Sequence, residues 1–323
     1  MRKGIITAIL LCAALLMVAC SSNPALQHMS QGDAYSSQGM WDEAIMEYNQ
    51  AIALNSNLSR AYNKLALAYS NRGWSNSEKQ QWDQAIADLN KAIEVNPDLA
   101  EAYNNRGRAY TALGQLDVIN ADQYRLMEQY ELFIAELDKA IEKFTLAVDD
   151  LNKANELRRK VPEIINNLAV AYNERGEAYN KKEELNLAVV DLSKAIELIP
   201  DMDEAYNNRG WTYNNLEEYD KAIVDLSKAI ELNPDLTLAY NNRGWAYHEK
   251  KEYDLAIADL SKAIEMDPGL AKAYVNRSQS YFMKGVHDNA ISDAKKALEL
   301  TDDPELIAKA KRILVLEGVG SEE

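Results

Sequence analysis

A hexapeptide that recurs at a fixed interval constrains this chain more than any other feature. The string Tyr-Asn-Asn-Arg-Gly-Trp at 206–211 returns unchanged at 240–245, 34 residues later. Pro234 and Pro268 are separated by the same 34 residues. A period between 20 and 50 residues is typical of stacked supersecondary units that bury their apolar faces against each other. The chain is therefore predicted to form a solenoid, which offers a long binding surface rather than a catalytic pocket.

The best-preserved repeat, 203–236, has the pattern of two helices joined by a turn. Apolar residues at helical spacing lie on both sides of the polar stretch 214–218, and small residues at Gly210, Ala222 and Ala229 allow the two helices to approach closely. Pro234 ends the second helix, because proline lacks an N–H and disfavours helix in the residue before it. The pattern resembles the tetratricopeptide repeat. That resemblance implies an all-α, right-handed α-solenoid whose first helices line a concave face.

The same pattern extends over most of the chain and predicts seven repeats followed by a C-terminal capping helix. The expected bounds are 25–58, 59–99, 100–161, 162–202, 203–236, 237–270 and 271–304, with the capping helix and tail at 305–323. Repeats 2 and 4 are each 41 residues long because a heptad is doubled, at 63–76 and at 166–179. One heptad is about two helical turns, so each first helix should be longer by about 10 Å.

Repeat 3 is the longest, at 62 residues, and contains 28 more residues than the basic period. Its apolar residues from Met127 to Leu151 alternate at spacings of three and four, as in a coiled-coil seam. The sequence allows either one helix from about Ala121 to Lys160 or a helical hairpin that turns near Glu136. We expect the neighbouring repeats to bury this seam. The alternative is a protruding arm that binds a partner.

The first twenty residues resemble the signal of a bacterial lipoprotein. A basic start is followed by an uncharged, largely apolar run of 13 residues at 5–17, too short to span a bilayer as a helix. The segment ends in Leu-Met-Val-Ala-Cys at 16–20, which is similar to a lipobox, although Met17 stands where leucine is usual. The resemblance implies a signal peptide at 1–19, lipidation of Cys20 and a lipidated linker at 20–24. An ordinary signal peptide that ends in cysteine is the alternative.

The implied location is the bacterial cell envelope, with the protein exported and attached to the membrane through acyl chains on Cys20. Ser21 follows the cysteine, and in Gram-negative families this resembles the class that is sorted to the outer membrane and faces the periplasm. The other cysteine, Cys12, lies within the predicted signal peptide. The mature chain would then have no thiol available for a disulfide, so its stability must come from packing.

Charge and motif content argue against several functional classes. The formal net charge is −16, whereas nucleic-acid binding requires a basic surface. The three histidines are scattered, and no phosphate loop, nucleophile motif or metal-ligand spacing occurs in the sequence. The paired carboxylates at 42–43 and 149–150 read as surface charge on helices. We therefore predict a protein that is not an enzyme and that has no cofactor, no metal and no nucleic-acid partner.

One amide recurs at the same place in five successive repeats: Asn105, Asn167, Asn208, Asn242 and Asn276. This place resembles the asparagine ladder of the O-linked N-acetylglucosamine transferase superhelix and the asparagines of co-chaperone carboxylate clamps. The resemblance implies contacts with the backbone of a bound peptide, since an amide both donates and accepts hydrogen bonds. The alternative is that these asparagines cap or bridge neighbouring helices.

Two tryptophans and five arginines accompany the amides. Trp211 and Trp245 lie one helical turn beyond Asn208 and Asn242 and are candidate peptide-binding hot spots. Packing between repeats is the alternative for both. Arg108 stands at the tryptophan place in repeat 3 and should interrupt the aromatic row. Arginines expected to stabilise contacts between helices, through nearby acidic residues, recur at Arg106, Arg175, Arg209, Arg243 and Arg277.

Taken together, the sequence predicts a protein–protein interaction scaffold or assembly factor that binds a peptide segment in the concave groove. Tetratricopeptide lipoproteins similar to this chain include pilotins of type IV pili and factors for outer-membrane protein assembly. An adaptor that regulates cell-wall enzymes is the alternative, and a receptor for a small solute is a further one.

Replacement of the predicted lipidated residue tests the anchor. Cys20→Ala removes the thioether attachment point, so the protein should leave the membrane fraction or remain uncleaved. Fractionation of cells followed by immunoblotting measures both outcomes. A Cys20→Ala protein that is cleaved and yet retained in the membrane as well as the unaltered protein would contradict the lipoprotein prediction.

Overall fold

The computed structural model describes residues 23–319, so the predicted signal peptide and Cys20 lie outside the described residues. Within 23–319 every regular element is an α-helix, which confirms the all-α repeat architecture. The helices form pairs, a first and a second helix for each repeat, and a single helix follows at the C-terminal end. Their bounds are α1 Pro24–Ser37, α2 Trp41–Leu54, α3 Ser59–Glu78, α4 Trp82–Val95, α5 Ala100–Leu126, α6 Tyr130–Leu157, α7 Pro162–Lys181, α8 Leu185–Leu198, α9 Asp203–Asn215, α10 Tyr219–Leu232, α11 Thr237–Glu249, α12 Tyr253–Met266, α13 Ala271–Lys284, α14 His287–Leu300 and α15 Pro304–Leu316.

Helix lengths show where the chain departs from the basic repeat. The second helices α2, α4, α8, α10, α12 and α14 each have 14 residues. The first helices α3 and α7 have 20 residues, against 13 in α9 and α11. A doubled heptad therefore lengthens the first helix and leaves the second unchanged. None of the helices within 23–319 combines the length and the apolar character needed to span a membrane.

The long insertion in repeat 3 is a helical hairpin, α5 and α6, of 27 and 28 residues. Its turn lies at 127–129, so the single-helix alternative and the expected turn near Glu136 are both wrong. The turn has the same geometry as the turns of the ordinary repeats. Glu128 has a φ of 57°, and the N–H of Gln129 donates to the carbonyl of Tyr124 at 2.9 Å. Such a left-handed residue with a hydrogen bond across six residues closes a helix without requiring glycine or proline.

Burial along the apolar seam is greatest at the base of the hairpin and is lost at its tip. Leu137, Phe144 and Leu151 are fully buried, whereas Met127 and Tyr130 are each 63% exposed. The expectation that the whole seam from Met127 onward is buried is therefore wrong at the tip. Both exposed residues flank the turn, where the two antiparallel helices end and can cover apolar side chains only from one side.

The chain forms two compact bodies. The N-terminal body contains the described residues up to Leu113 together with 146–167, and the C-terminal body contains 114–145 and the described residues from Leu168 onward. The hairpin contains two equivalent glycine contacts, seven residues apart, and each body contains one of them. In the N-terminal body Gly107 faces Leu151, and in the C-terminal body Gly114 faces Phe144. A Cβ placed on either glycine would lie 2.6 Å from the facing side chain, so a larger residue would force the helices apart.

The core of each regular repeat consists of small and medium apolar residues from the second helix. In α10, Ala222, Leu226 and Ala229 are fully buried and pack against Ala239 and Ala246 of the following first helix. Full burial of such a leucine contributes about 1.5–3 kcal/mol. Because each repeat packs mainly on its neighbours, stability accumulates along the stack.

A buried ion pair joins the two helices of six repeats. In repeat 5, Arg209 Nε and Nη2 donate to the two carboxylate oxygens of Asp225 at 2.7 and 2.9 Å. Its Nη1 donates to Ser193 Oγ of the preceding repeat at 3.0 Å, and the rings of Tyr206 and Tyr213 lie 5.8 and 6.0 Å from the guanidinium. The equivalent pairs are Arg72–Asp88, Arg106–Asp150, Arg175–Asp191, Arg243–Asp259 and Arg277–Asp293.

These pairs confirm that the five recurring arginines contact acidic residues between helices. Sequence reasoning missed Arg72, the equivalent residue of repeat 2. Its spacing to Asp88 is 16 residues, the same as from Arg209 to Asp225. We refer to the six arginine–aspartate pairs as the clamps.

Removal of one clamp arginine should destabilise the C-terminal body strongly. Arg243→Met leaves Asp259, which is 9% exposed, without its counter-charge, and breaking a buried pair on one side costs about 3–5 kcal/mol. Urea unfolding followed by circular dichroism measures the change. The matched control is Lys262→Met, which breaks the exposed pair with Glu265 and should cost less than about 1 kcal/mol. Equal losses in the two variants would contradict a structural role for the clamp.

Candidate interaction surface

The first helices of the C-terminal body pack side by side, with α9 next to α11 and α11 next to α13. The clamps fix the rotation of each helix, so equivalent residues align in rows. The amide row contains Glu174, Asn208, Asn242 and Asn276. The aromatic row contains Glu177, Trp211, Trp245 and Gln279, and the N-terminal row contains Glu204, Leu238 and Lys272. We refer to these three rows as the first-helix face.

The asparagines of repeats 4 to 7 form one continuous chain of hydrogen bonds. The bonds between repeats run from Asn276 Nδ2 to Asn241 Oδ1 at 3.1 Å, from Asn242 Nδ2 to Asn207 Oδ1 at 3.2 Å and from Asn208 Nδ2 to Asn173 Oδ1 at 3.1 Å. Within the doublets, Asn241 donates to Asn242 and Asn207 donates to Asn208. All donors point the same way along the stack, and such chains polarise one another.

A second set of bonds supports the chain from the C-terminal ends of the first helices. Asn214 Nδ2 donates to the backbone carbonyl of Asn242 at 2.8 Å, and Asn180 makes the equivalent bond to Asn208 at 3.4 Å. In repeat 6 a histidine replaces this asparagine. His248 Nδ1 lies 3.0 Å from Ser280 Oγ, and burial lowers the pKa of the imidazole, so the neutral ring is favoured.

The N-terminal body uses its two predicted amides in the same way. Asn105 Nδ2 donates to Ser70 Oγ at 3.3 Å, and Asn167 Nδ2 donates to Asn104 Oδ1 at 2.9 Å. Asn167 lies in the extra heptad of α7. The residue beside the clamp arginine of repeat 4, equivalent to Asn208 beside Arg209, is therefore Glu174.

All five predicted amides thus bridge neighbouring first helices, which was the alternative interpretation from the sequence. These amides therefore form hydrogen bonds within the free protein. Asn242 and Asn276 are only 8% and 5% exposed, because adjacent first helices approach closely enough to enclose a short side chain. Contact between these amides and a bound peptide remains a prediction.

Trp211 and Trp245 project from the first-helix face and are half-buried. The ammonium of Lys272 lies 6.0 Å from the centre of the Trp211 ring, within the range of a cation–π contact. Trp245 stacks on His248, with ring centres 5.2 Å apart and an interplanar angle of 16°. Both indoles are therefore held by side chains of their own face and keep part of the ring open.

The aromatic row has a counterpart in the N-terminal body. Trp74 stands at this place in repeat 2, and the guanidinium of Arg108 lies 4.0 Å from the centre of its ring. Arg108 also pairs with Glu163 at 3.6 Å. The arginine that interrupts the row of tryptophans therefore stacks on the tryptophan of the preceding repeat.

Repeat 4 replaces the consensus residues of two rows with carboxylates, a feature that sequence reasoning missed. Glu174 takes the place of an asparagine and Glu177 the place of a tryptophan. Burial raises the pKa of Glu174, a hydrogen bond from Gln115 opposes the shift, and the charges of Glu177 and Glu204 add to it. An alignment of repeat 4 with the other repeats that matches Arg175 to their clamp arginines would have shown both substitutions.

The remaining candidates for chemistry serve structural contacts in the described residues. Asp42 pairs with Arg72, and Asp150 is the clamp partner of Arg106. His28 contacts Glu47 at 2.6 Å, and His287 lies 2.9 Å from Glu317. Within 23–319, no group of three or more His, Cys, Asp and Glu side chains could hold a metal ion.

Comparison with known protein families identifies the repeats. Models of the tetratricopeptide repeat match residues 203–236 and 237–270, and also 169–202 and 271–304. A further tetratricopeptide repeat model matches 32–73 and 77–114. Together these segments cover more than half of the 323-residue chain.

No curated protein matches the chain. Among solved structures, the chain is similar to YrrB, described as a TPR protein with an unusual peptide-binding site, at 22% identity over 70% of this chain and 95% of that chain, with a TM-score of 0.45. It is also similar to MamA, at 25% identity over 64% and 94%, with a TM-score of 0.45. A thermophilic TPR protein from Thermus thermophilus shares 19% identity over 62% and 99%, with a TM-score of 0.43.

The amide chain leads to a prediction about stability. Replacement of Asn208 and Asn242 together by alanine leaves the Oδ1 atoms of Asn173 and Asn207 without their donors. The free energy of unfolding should fall by about 2 kcal/mol or more, because unsatisfied buried groups each cost about 1–3 kcal/mol. Urea unfolding measures this.

The control for this variant is Asn215→Ala, which makes the same chemical change at an exposed position of α9 and should leave stability unchanged. If the double variant instead unfolds like the unaltered protein, the amides do not hold the repeats together. If it stays folded but loses affinity for a partner, the peptide-binding role predicted from the sequence is supported.

Proposed function

The chain belongs to the tetratricopeptide repeat family, whose members are protein-interaction scaffolds, and we propose that it is a non-enzymatic scaffold or assembly factor. In this proposal a peptide segment of a protein partner lies on the first-helix face of the C-terminal body. The partner is held at the bacterial envelope because the scaffold is attached to the membrane through lipidated Cys20.

One observation carries the proposal: aromatic and apolar side chains project from a face whose backbone and amides are already hydrogen-bonded. Trp211 and Trp245 are half-buried, and Leu238 between them in sequence is 50% exposed. Side chains that are held in place before binding lose little conformational entropy when a partner arrives. Partly exposed tryptophans of this kind are frequent anchors in protein interfaces.

The chemistry of the face supports binding rather than catalysis. Its ionisable residues are Glu174, Glu177, Glu204 and Lys272, and it carries neither a hydroxyl nor a thiol nucleophile beside a base. His248 contacts Ser280, but both side chains already form hydrogen bonds at the junction between repeats 6 and 7. These residues therefore fit a role in packing.

Attachment to the envelope is supported by the sequence of residues 1–20, which precedes the described part of the chain. A basic start, a short apolar run and Cys20 after Ala19 are the features that support it. A partner bound to an anchored scaffold is confined near the membrane, which raises its effective concentration there.

Truncation of the two tryptophans tests the proposed function. Detergent-solubilised envelopes are passed over the unaltered protein and over the Trp211→Ala/Trp245→Ala variant. We expect a stoichiometric protein partner that the variant loses, with an affinity decrease of about thirtyfold or more, because truncation of a hot-spot residue costs about 2 kcal/mol or more.

The matched control is Trp82→Ala, which removes a half-buried tryptophan from a second helix of the N-terminal body and should leave capture unchanged. Melting curves of all three proteins exclude unfolding as the cause. Equal capture by the double variant and the unaltered protein would contradict binding on the first-helix face, and a bound small molecule without a protein partner would contradict the scaffold.

A further inference from the structure

The first-helix face has charges of opposite sign at its two ends. At the repeat 4 end, the amide and aromatic rows carry Glu174 and Glu177, and the N-terminal row of repeat 5 carries Glu204. At the repeat 7 end, the N-terminal row carries Lys272. Between these ends lie the side chains of Trp211, Leu238 and Trp245. Repeats 5 and 6 therefore supply the apolar centre of the face. Residues that differ from their equivalents in the other repeats supply the charges at its two ends.

The acidic end has more carboxylates than cations. Lys181 pairs with Asp122 at 2.6 Å and lies 3.6 Å from Glu177. Glu174 receives a hydrogen bond from Gln115, and neither Glu174 nor Glu204 has an ion-pair partner within 4.0 Å among residues 23–319. Lys181 therefore lies near Asp122, Glu174 and Glu177, and the charge of Glu204 also acts on Glu174. A cation placed here would relieve the mutual repulsion that contributes to the raised pKa of Glu174.

The basic end is built around an unpaired lysine. The Lys272 side chain is exposed to solvent, yet the surrounding protein desolvates it enough to lower its pKa. Lys309 and Arg125 reinforce the shift, while Glu305 and Asp303 oppose it. Lys309 pairs with Glu305 at 2.6 Å, and within the described chain neither Lys272 nor Arg125 has an ion-pair partner within 4.0 Å. An anion that reached Lys272 would meet a cation that has no carboxylate within ion-pair distance among the described residues.

Helix spacing sets the distance between the two ends. Glu204 and Lys272 occupy equivalent places on α9 and α13, which are separated by α11. Adjacent packed helices lie about 8–10 Å apart, so the axes of α9 and α13 are about 16–20 Å apart. The ammonium of Lys272 extends back toward α9, to 6.0 Å from the Trp211 ring, so the charged groups are closer together than the two helices. At most about five or six residues of extended chain therefore separate a cation at Glu204 from an anion at Lys272.

We propose that the first-helix face selects an extended, bipolar peptide segment. Its Lys or Arg side chain lies at Glu174, Glu177 and Glu204, and its apolar residues lie on Trp211 and Leu238. Its carboxylate lies at Lys272, at most about five or six residues from the cation. This partner class rests on the proposed function, because it assigns a chemistry to the segment that the scaffold holds.

A random peptide library tests the proposal directly. Phage that display random dodecapeptides are selected on the purified full chain, and phage retained by the Trp211→Ala/Trp245→Ala variant are removed. We expect enriched sequences with Lys or Arg and Asp or Glu at most about five or six residues apart, with apolar residues between them. An enriched peptide is then synthesised and its affinity measured by fluorescence anisotropy.

Substitutions taken from the chain's own repeats provide matched variants. Glu204→Leu and Lys272→Leu each introduce the residue found at the equivalent place in repeat 6, and Glu174→Asn introduces the residue found in repeats 5 to 7. Glu204→Leu and Glu174→Asn should each weaken the peptide about tenfold or more, because each removes a charged acceptor for the peptide cation. Neither should weaken a peptide whose Arg or Lys is replaced by alanine. Lys272→Leu should also weaken the peptide about tenfold or more. It should not weaken a peptide whose Asp or Glu is replaced by alanine.

The outcomes separate this proposal from the proposed function. Enriched peptides that require the tryptophans but show no paired charges would overturn the bipolar segment and leave the scaffold intact. Peptides with paired charges whose affinity is unchanged by Glu204→Leu, Glu174→Asn and Lys272→Leu would overturn it as well. If no peptide depends on the tryptophans, peptide binding on this face fails, and the bipolar segment fails with it.

Discussion

The clamp between an arginine of the first helix and an aspartate of the second is the interaction on which the rest of the structure depends. It joins three helices at once, because the same guanidinium also reaches the second helix of the preceding repeat, as Arg209 reaches Ser193. Buried ion pairs add little net stability compared with apolar packing, but a misaligned pair would leave a charge buried alone. The clamp therefore selects one rotation and one register for each helix.

A fixed register explains how the chain accepts insertions of such different lengths. Seven residues are about two helical turns, so a doubled heptad in α3 or α7 keeps the clamp, the facing glycine and the amide on the same sides of the helix. The hairpin contains the same glycine contact twice, seven residues apart: Gly107 faces Leu151, and Gly114 faces Phe144. Insertions that were not close to a whole number of helical turns would rotate the clamp arginine away from its aspartate.

The sequence was sufficient for the architecture but not for the contacts of the side chains. The 34-residue period and Pro234 predict the helix pairs, because period and helix breakers are local properties. The hairpin turn was missed although Tyr124 and Tyr130 keep the spacing of Tyr213 and Tyr219 around the ordinary turn, since the long apolar seam suggested a later reversal. Whether Asn242 faces solvent or a neighbouring helix depends on the distance between helices, which the pattern of residues does not encode.

Repetition and departure from repetition have different physical roles in this chain. Residues that recur, such as Asn208 and Asn242, use their hydrogen-bonding capacity on the neighbouring repeat, so they hold the face together and offer little to distinguish one ligand from another. Some residues that break the pattern instead keep a charge that no ion pair neutralises. Glu174, Glu204 and Lys272 remain without ion-pair partners among the described residues and project beside the tryptophans. Because an unpaired charge repels a ligand of the wrong sign without requiring any new contact, selectivity should reside in the residues that depart from the repeat pattern and affinity in those that follow it.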